Sequence, residues 1–380
     1  MGSRLPMLNL TCAFEEIRGE VSAAVERVFD TQSFILGREV RAFEEHVESC
    51  LHLPENGAIG CASGTDALLL ALMALDVGPG DEVITTPYTF FATAGAVTRL
   101  GAVPIFADID PGTYNVDLED VRRKLTPRTK VFLPVHLFGQ MTPLEEIAPL
   151  LAERGVKIVE DAAQAFGTWR RVGEEIRRAG TVGDLGCFSF FPTKNLGGCG
   201  DGGMIAAKDP ELSARLRRLR VHGEDATYFH QEVGLNSRLD AIQAAILDVK
   251  LPHLEMWNEE RRQVADRWHM ALETRGLTDR VKVPAELPGN YHIYHQYVVR
   301  TPRRDELMAW LEERGFTTRV YYPLPLHLQP CFAFLGGRRG DCPEAERLSQ
   351  EALALPIFPG LKWEEQEALA DAMAEFMARA

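Results

Sequence analysis

"AIGCASGTDALLLALMALDVGPGDEVITTP" (Ala58 to Pro87) holds two short apolar runs on either side of one helical segment. "AIGCAS" and "DEVITTP" have the length and composition of buried strands, and "DALLLALMAL" reads as a helix between them. A strand, a covering helix and a second strand make one crossover unit of a parallel sheet. The alternation continues through "AVPIFADI", "KVFLPVH", "VKIVEDAA", "LGCFSFF" and "GGMIAAK". Amphipathic segments such as "TFFATAGAVTRL", "DLEDVRRKL" and "TPLEEIAPLLAERG" separate several of these runs. The predicted fold class is therefore α/β, a mainly parallel sheet covered by helices on both faces. The last two runs are joined by a glycine loop, so part of the sheet is expected to be antiparallel.

The pattern changes near Lys250. A charged helical segment, "HLEMWNEERRQVADRWHMALETRG", leads away from the sheet, followed by strand candidates "YHQYVVRT" and "TTRVYY" and by helices from Ala345 and Trp363. The expected organisation is a large α/β domain over 1–250 and a smaller α+β domain over 251–380.

Composition narrows the function. Of 380 residues, 46% are hydrophobic and 25% charged, as in soluble globular proteins, and the formal net charge is -14. A general nucleic-acid binder would be basic, so nucleic acid is disfavoured. Arg215, Arg217, Arg218 and Arg220 are expected on a solvated helix face. Seven scattered cysteines, with no CxxC pair, fit a reducing cytoplasm and offer neither a disulfide framework nor a zinc site. Cys61, Cys187 and Cys199 are expected to be buried as small hydrophobes. "MGSRLPMLNL" lacks the apolar core of a signal peptide and fails the myristoylation pattern at Pro6. The longest apolar run, Ala67 to Leu75, falls far short of the roughly 20 residues of a membrane span. No membrane association and a cytoplasmic location are expected.

Open α/β sheets bind ligands beyond the carboxyl ends of their strands. Polar residues fall there: Ser63, Gly64 and Thr65 after one strand, Asp161 and Gln164 after another, Lys194 past a third. Lys194 lies in "SFFPTKNLGGCGDGG" (Ser189 to Gly203). Gly198, Gly200 and Gly203 match GxGxxG, but they lead into a strand, and no acid closes a dinucleotide-binding unit. The lysine precedes its glycines, so the loop is not a P-loop either. A lysine here is either a solvated charge or, with its pKa depressed by apolar surroundings, an amine able to form a Schiff base with an aldehyde cofactor.

Other candidates also carry two readings. Asp161 either caps the following helix or pairs with a protonated pyridine nitrogen, and Gln164, a turn later, is placed to donate to a ring oxygen. Gly64 and Thr65 open a helix whose free amides suit a phosphate, although Ser63 or Thr65 is equally a simple N-cap. Phe90 either stacks on a flat ring or packs in the core. Together these groups match pyridoxal 5′-phosphate better than any nucleotide cofactor.

At these residues the chain resembles a known family. "SGTDAL", "GDEVITTPYTF", "VEDAAQAFG", "SFFPTKNLGGCGDGG" and "GLNSRLDAIQAAIL" are similar, in order, to the motifs of nucleotide-sugar aminotransferases of the DegT/StrS type, and the likeness runs from "SFILGREVRAFEE" to "LALPIFPGL". The resemblance implies the type I aminotransferase fold, and a homodimer with shared active sites. It implies pyridoxal 5′-phosphate bound at Lys194, passing through its pyridoxamine form, with Asp161 at the ring nitrogen and Gln164 near the ring hydroxyl. Gly64, Thr65 and Ser189 then cradle the phosphate, Asn236 reaches it from the neighbouring subunit, and Phe90 stacks on the ring. Arg238 resembles an interface arginine that meets a carboxylate, and Tyr322 lies at a substrate position. The chain departs from the family in reading Tyr321-Tyr322-Pro323 where His-Tyr-Pro is common. Arg170, Arg171, Arg177 and Arg178 are an unexpected basic run, read as solvated loop charges.

The implied reaction passes the amino group of L-glutamate to a nucleotide-linked keto-sugar. A UDP-3-keto-hexuronic acid comes first because Arg238 suits a uronate carboxylate, and a TDP-3-keto-6-deoxyhexose is the alternative. A sugar 3-dehydratase on this scaffold carries histidine in place of Lys194. A cofactor-binding regulator without turnover would show an appended DNA-binding segment or broken catalytic residues. A nicotinamide-dependent oxidoreductase would need the strand–glycine–helix context that is missing.

Overall fold

The computed structural model describes residues 5–379. The reading of Met1 and Gly2 lies outside them. Helices α1 (Thr11–Thr31) and α2 (Arg38–Leu51) precede strand β1 (Ala58–Cys61). Then come α3 (Gly64–Ala74), β2 (Glu82–Thr85), α4 (Ala92–Arg99), β3 (Val103–Phe106), α5 (Leu118–Lys124), β4 (Thr129–Leu133), α6 (Ala148–Glu153) and β5 (Lys157–Asp161). A hairpin of β6 (Trp169–Val172) and β7 (Glu175–Arg178) leads to β8 (Leu185–Ser189) and β9 (Gly203–Ala207). All seven strands expected from the apolar runs form one sheet, in the order β1-β9-β8-β5-β4-β2-β3. From β3 to β8 neighbours are parallel, whereas β9 runs antiparallel to β8 and β1, because the short glycine loop can only turn the chain back.

The side-chain period of two splits each strand between two cores. Ile59 and Cys61 pack with the apolar α3 on one face, while Ala58 packs with Phe43 and Val47 of α2 on the other. Helix α3 is buried over nearly its whole circumference, which is why its sequence shows no polar stripe. This places the α3 N-terminus against the carboxyl end of β1, at the rim where Asp161 and Ser189 end their strands.

After β9, α7 (Pro210–Leu219), a small hairpin of β10 (Glu224–Ala226) and β11 (Phe229–His230), and α8 (Ala241–Lys250) complete the large layer. Helix α9 (Leu254–Thr274) then opens a second core with α10 (Arg304–Glu313) and α12 (Trp363–Ala378). A two-residue strand, β12 (Asn290–Tyr291), pairs with β6. The strand expected in "YHQYVVRT" is β13 (Tyr297–Arg300), but "TTRVYY" contributes only an isolated bridge from Arg319 to Ala354. The partner of β13 is β14 (Ala352–Leu355), an all-buried run that follows α11 (Pro343–Glu351) directly and so hides behind a helix in the sequence.

Two readings of arginine clusters are corrected. The α7 arginines are not a solvated face: Arg215 pairs with Asp76 and Glu232, Arg218 with Glu232, and both Arg217 and the buried Arg220 with Glu44 of α2. Distant acids neutralise them, which helical periodicity cannot show. Arg170, Arg171, Arg177 and Arg178 lie on the β6–β7 hairpin instead of a loop, with Arg170 bound to Glu145 and Arg177 to Glu175. No helix of the described residues is long and apolar enough to cross a membrane.

Candidate active site

The carboxyl ends of β1, β2, β5 and β8 border one cavity of about 570 Å³. Gly64, Thr65, Phe90, Asp161, Gln164, Ser189, Lys194 and Tyr322 all line it. Residues spread over more than 250 positions converge because parallel strands deliver their terminal loops to the same edge.

Asp161 closes β5 and is 5% exposed. Thr93 Oγ1 donates to its Oδ2 at 2.7 Å, and the Ala163 amide donates to Oδ1 at 3.2 Å. Burial raises the carboxyl above its ordinary pKa, and the Thr93 bond, the Ala163 amide and the charge of Lys194 offset this only in part. No arginine or lysine forms an ion pair with it among the described residues, so a buried carboxylate faces the cavity short of a counter-charge. The segment behind it is rigidly held. Glu160 is fully buried, with His136 Nε2 at 2.7 Å and the amides of Gly180, Val182 and Gly183 on its two oxygens. The Thr142 amide donates to His136 Nδ1, which fixes the tautomer. Burial pushes Glu160 up, but these donors outweigh it and its pKa is lowered.

Lys194 follows β8 on a turn closed by its own amide onto the Phe191 carbonyl at 2.8 Å. Burial brings its amine down to about 8, against the pull of Asp161 in the other direction. His295 sits beside it, buried, with Nδ1 on Asn195 Oδ1 at 3.0 Å. Burial, and then the charges of Lys194 and Arg261, keep this imidazole well below its ordinary pKa and therefore neutral. Gln164 is oriented by two contacts: the Phe138 amide donates to its Oε1 at 2.8 Å and its Nε2 donates to the Tyr322 hydroxyl at 3.0 Å.

Ser63 caps α3, its Oγ accepting the Asp66 amide, so the Gly64 and Thr65 amides keep no acceptor within the helix. A Cβ on Gly64 would lie 2.6 Å from that of Ser189, so only glycine lets the two loops close into a cradle. Phe90 is 58% exposed at the cavity wall, which removes the core-packing reading, while Tyr88 two residues earlier is fully buried.

Asn236 and Arg238 do not line this cavity. Their neighbour Ser237 ties the segment to the cradle, donating to Asp66 Oδ2 and accepting from the Ala62 amide. Cys61 and Cys187 are buried as expected, but Cys199 is exposed, because its backbone amide is held by Gln243 while the loop lies on the surface. Thr93, His295 and the His136–Glu160 pair were not singled out from the sequence. A threonine in an amphipathic helix carries no signal there, and "YHQYVV" reads only as a strand. Among the described residues, no cluster of His, Cys, Asp or Glu could hold a metal ion.

A model of the DegT/DnrJ/EryC1/StrS aminotransferase family matches residues 15–374. The chain belongs to this family. Among its relatives are a "pleiotropic regulatory protein" of Geobacillus stearothermophilus, 48% identical with 98% of each chain covered, and the UDP-N-acetyl-3-dehydro-alpha-D-glucosamine 3-aminotransferase of Acidithiobacillus ferrooxidans, 42% identical with 95% of each covered. The dTDP-3-amino-3,4,6-trideoxy-alpha-D-glucose transaminase of Streptomyces venezuelae is 40% identical over 99% of this chain and 97% of its own. The crystal structure of S. venezuelae DesV superposes with a TM-score of 0.94 at 39% identity, covering all of both chains. The protein is thus a nucleotide-sugar aminotransferase of α/β type I fold, dependent on pyridoxal 5′-phosphate. The DegT/StrS cavity fits that cofactor in this chain: two unpaired helix amides beside Ser189 suit a phosphate, and the undercompensated Asp161 suits a protonated ring nitrogen.

Proposed function

We propose that the enzyme transfers the amino group of L-glutamate to C3 of a UDP-linked 3-keto-hexuronic acid of the 2-acetamido type. The observation that carries the reading is the shared cavity of Lys194 and Asp161, with the α3 N-terminus opposite. When bound, pyridoxal 5′-phosphate would supply an aldehyde carbon and an electron-withdrawing ring, alternating with its pyridoxamine form as the amino group is received and passed on.

The chain's own residues do the rest. Lys194 holds the cofactor and then, with its amine near neutrality, takes the proton from the donor's α-carbon and returns it at the carbon that receives the amino group. Asp161, fastened by Thr93, would pair with the ring nitrogen and favour its protonated form. Gly64, Thr65 and Ser189 would hold the phosphate, Phe90 would stack on the ring, Gln164 would stand near the ring hydroxyl, and Tyr322, bonded to Gln164, would lie beside the substrate. Asn236 and Arg238, which do not line their own chain's cavity, are read as belonging to the site of a second subunit, so that a homodimer shares its two sites. Arg238 would there meet a carboxylate of glutamate or of the uronic acid. The boundary near residue 250 and a cytoplasmic location are part of the same reading.

The UDP-3-keto reading is supported by the A. ferrooxidans relative, and the second reading, a TDP-3-keto-6-deoxyhexose, by the S. venezuelae transaminase. Enzyme loaded with cofactor and glutamate is supplied with each 3-keto acceptor, and aminated sugar and 2-oxoglutarate are quantified. The UDP-uronate is expected to turn over with the highest kcat/KM. A higher value with the TDP-deoxyhexose would replace the first reading by the second.

A further inference from the structure

Lys194 and His295 border the same cavity, and each brings to it a polar atom with no hydrogen-bond partner among the described residues: the lysine Nζ and the imidazole Nε2. A polar atom left unpartnered in a largely buried setting is destabilising, and such atoms are retained where a site uses them. One of the two is a donor. The polarity of the other follows from its surroundings.

The proton on the imidazole is placed by a chain of bonds that ends on carbonyls. Asn195 Nδ2 donates to the Ile293 carbonyl at 3.4 Å and to Asn258 Oδ1 at 2.7 Å, and Asn258 Nδ2 donates in turn to the Phe166 carbonyl at 3.5 Å. A carbonyl only accepts, so the nitrogen ends of both amides are identified, and Asn195 Oδ1 is left to accept from His295 Nδ1 at 3.0 Å. The proton therefore sits on Nδ1, and Nε2 carries a lone pair. The ring is further fixed at its backbone, where the His295 amide donates to the Phe138 carbonyl at 2.7 Å. Burial, and then the charges of Lys194 and Arg261, hold its pKa well below the ordinary value, so the lone pair stays free in the neutral range. Other polar groups on the cavity are differently placed. Asp161 is engaged by Thr93 and the Ala163 amide, Gln164 by Phe138 and Tyr322, and burial keeps the Tyr321 and Tyr322 hydroxyls protonated. Gln296 can present either end of its amide, whereas His295 Nε2 can only accept.

We propose that His295 is a positioning residue for the amine of Lys194: Nε2 accepts one of its N–H groups and so aims the amine's lone pair at the carbon it deprotonates. The proposal rests on the reading of Lys194 as the group that moves the proton. A lysine amine rotates freely about its last bond, and fixing one N–H removes that freedom before the reaction begins. No proton reaches the imidazole. The lysine takes one from the donor's α-carbon, is held by the same hydrogen bond as an ammonium, and gives the proton back.

His295→Asn and His295→Gln separate the two edges of the ring. Asparagine keeps a donor for Asn195 and removes the cavity acceptor, whereas glutamine brings an oxygen to the Nε2 position and gives up the Asn195 bond. In the apoprotein, the pH midpoint for acylation of Lys194 should fall by about half a unit or more in His295→Asn, because the ammonium has lost an acceptor, and should stay near the wild-type value in His295→Gln. Asp161 beside the lysine and Arg261 beside the imidazole also set this midpoint, and both are unchanged in all three proteins. With cofactor bound, the glutamate half-reaction should slow about tenfold or more in His295→Asn and recover to within about threefold of wild type in His295→Gln. Equal midpoints, an unslowed half-reaction in His295→Asn, or a loss confined to His295→Gln overturns the proposal. A loss that appears only with the keto-sugar, the midpoint being unmoved, also overturns it, since Nε2 then serves a sugar hydroxyl. Should the variants not fold, nitrogen-15 NMR of the wild-type apoprotein carries the test. A neutral-imidazole Nε2 signal should shift as the lysine titrates near pH 8 and lose that step in Lys194→Ala, and the lack of such a signal overturns the bond. A wild-type cofactor absorbance that glutamate leaves unchanged would overturn the transamination reading instead, and the apoprotein midpoints would still decide for or against His295.

Discussion

Thr93 Oγ1 donates to Oδ2 of Asp161 across 2.7 Å, tying the first turn of α4 to the last residue of β5. It is one of two protein donors on a carboxylate that burial makes reluctant to ionise. A hydrogen bond to a charged group contributes about 1.5–3 kcal/mol. Thr93→Val keeps the shape and removes the donor, so the apoprotein should bind pyridoxal 5′-phosphate roughly 10- to 100-fold more weakly in fluorescence titration. Unchanged affinity would mean that the ionised form of Asp161 does not hold the cofactor.

The titration of Lys194 has a definite sign. With a folded pKa of about 8, below the ordinary 10.5, the amine is neutral above about pH 8. Acylation of Lys194 in the apoprotein, followed by mass spectrometry against pH, should rise with a midpoint near 8. Asp161 is the charge that pulls the value up, so Asp161→Asn should move the midpoint lower still. A midpoint near 10.5, or an upward shift in the variant, is incompatible with this environment. Linkage runs the same way: the protonated amine is disfavoured by folding, so this group's contribution to stability improves as pH rises from about 8 towards 10.5.

Gly64 tests the cradle. An alanine Cβ would sit 2.6 Å from Ser189 Cβ, an overpacking that costs about 1–3 kcal/mol. Gly64→Ala should therefore lower both the denaturation midpoint and the affinity for the cofactor. Gly19, in α1, has open space around its Cβ position, and Gly19→Ala should instead stabilise by about 0.5–1 kcal/mol.

The His136–Glu160 pair holds the β5 terminus through four donors on one buried carboxylate. Glu160→Gln turns an acceptor into a donor opposite amides and should cost about 3 kcal/mol in urea unfolding at pH 7. Because the folded pKa of Glu160 is depressed, its contribution is present above the unfolded value and is lost as pH falls through the folded one. The gap between wild type and variant should accordingly narrow in acid, and a gap that widens there would rule the pair out.

The proposed role of Arg238 is tested by comparing acceptors. If it meets a uronate carboxylate, Arg238→Gln should reduce kcat/KM at least tenfold more for the UDP-uronate than for a 6-deoxy acceptor. Equal losses would place the arginine on glutamate, and that can be read separately from the rate of the glutamate half-reaction.

Much of the architecture is legible in the sequence because buried parallel strands are short apolar runs and their covering helices fall between them. The β6–β7 hairpin is not, since arginine and glutamate alternate there and look like a solvated loop. Strand β14 is masked by the helix that runs into it, and "TTRVYY" has the composition of a strand without a partner along its length. Lys194, Asp161, Gln164, Gly64, Thr65, Ser189 and Phe90, singled out from local motifs, and Tyr322, singled out from the family resemblance, line one cavity, and the strand ends explain why they meet. Thr93, His295 and the His136–Glu160 pair were not singled out. What distinguishes them is a bond to a distant residue, which is not a property of local sequence.

The direct trial of Lys194 and Asp161 as the working groups is spectroscopic. Wild type, Lys194→Ala and Asp161→Asn are incubated with pyridoxal 5′-phosphate, freed of excess, and their absorbance is recorded before and after L-glutamate. Wild type should show the band of the lysine-linked cofactor and lose it to the pyridoxamine form with release of 2-oxoglutarate. Lys194→Ala should show no lysine-linked band, and Asp161→Asn should convert at least a hundredfold more slowly. A wild type that acquires no such band, or a Lys194→Ala protein that converts as the wild type does, would remove the lysine from the centre of the mechanism.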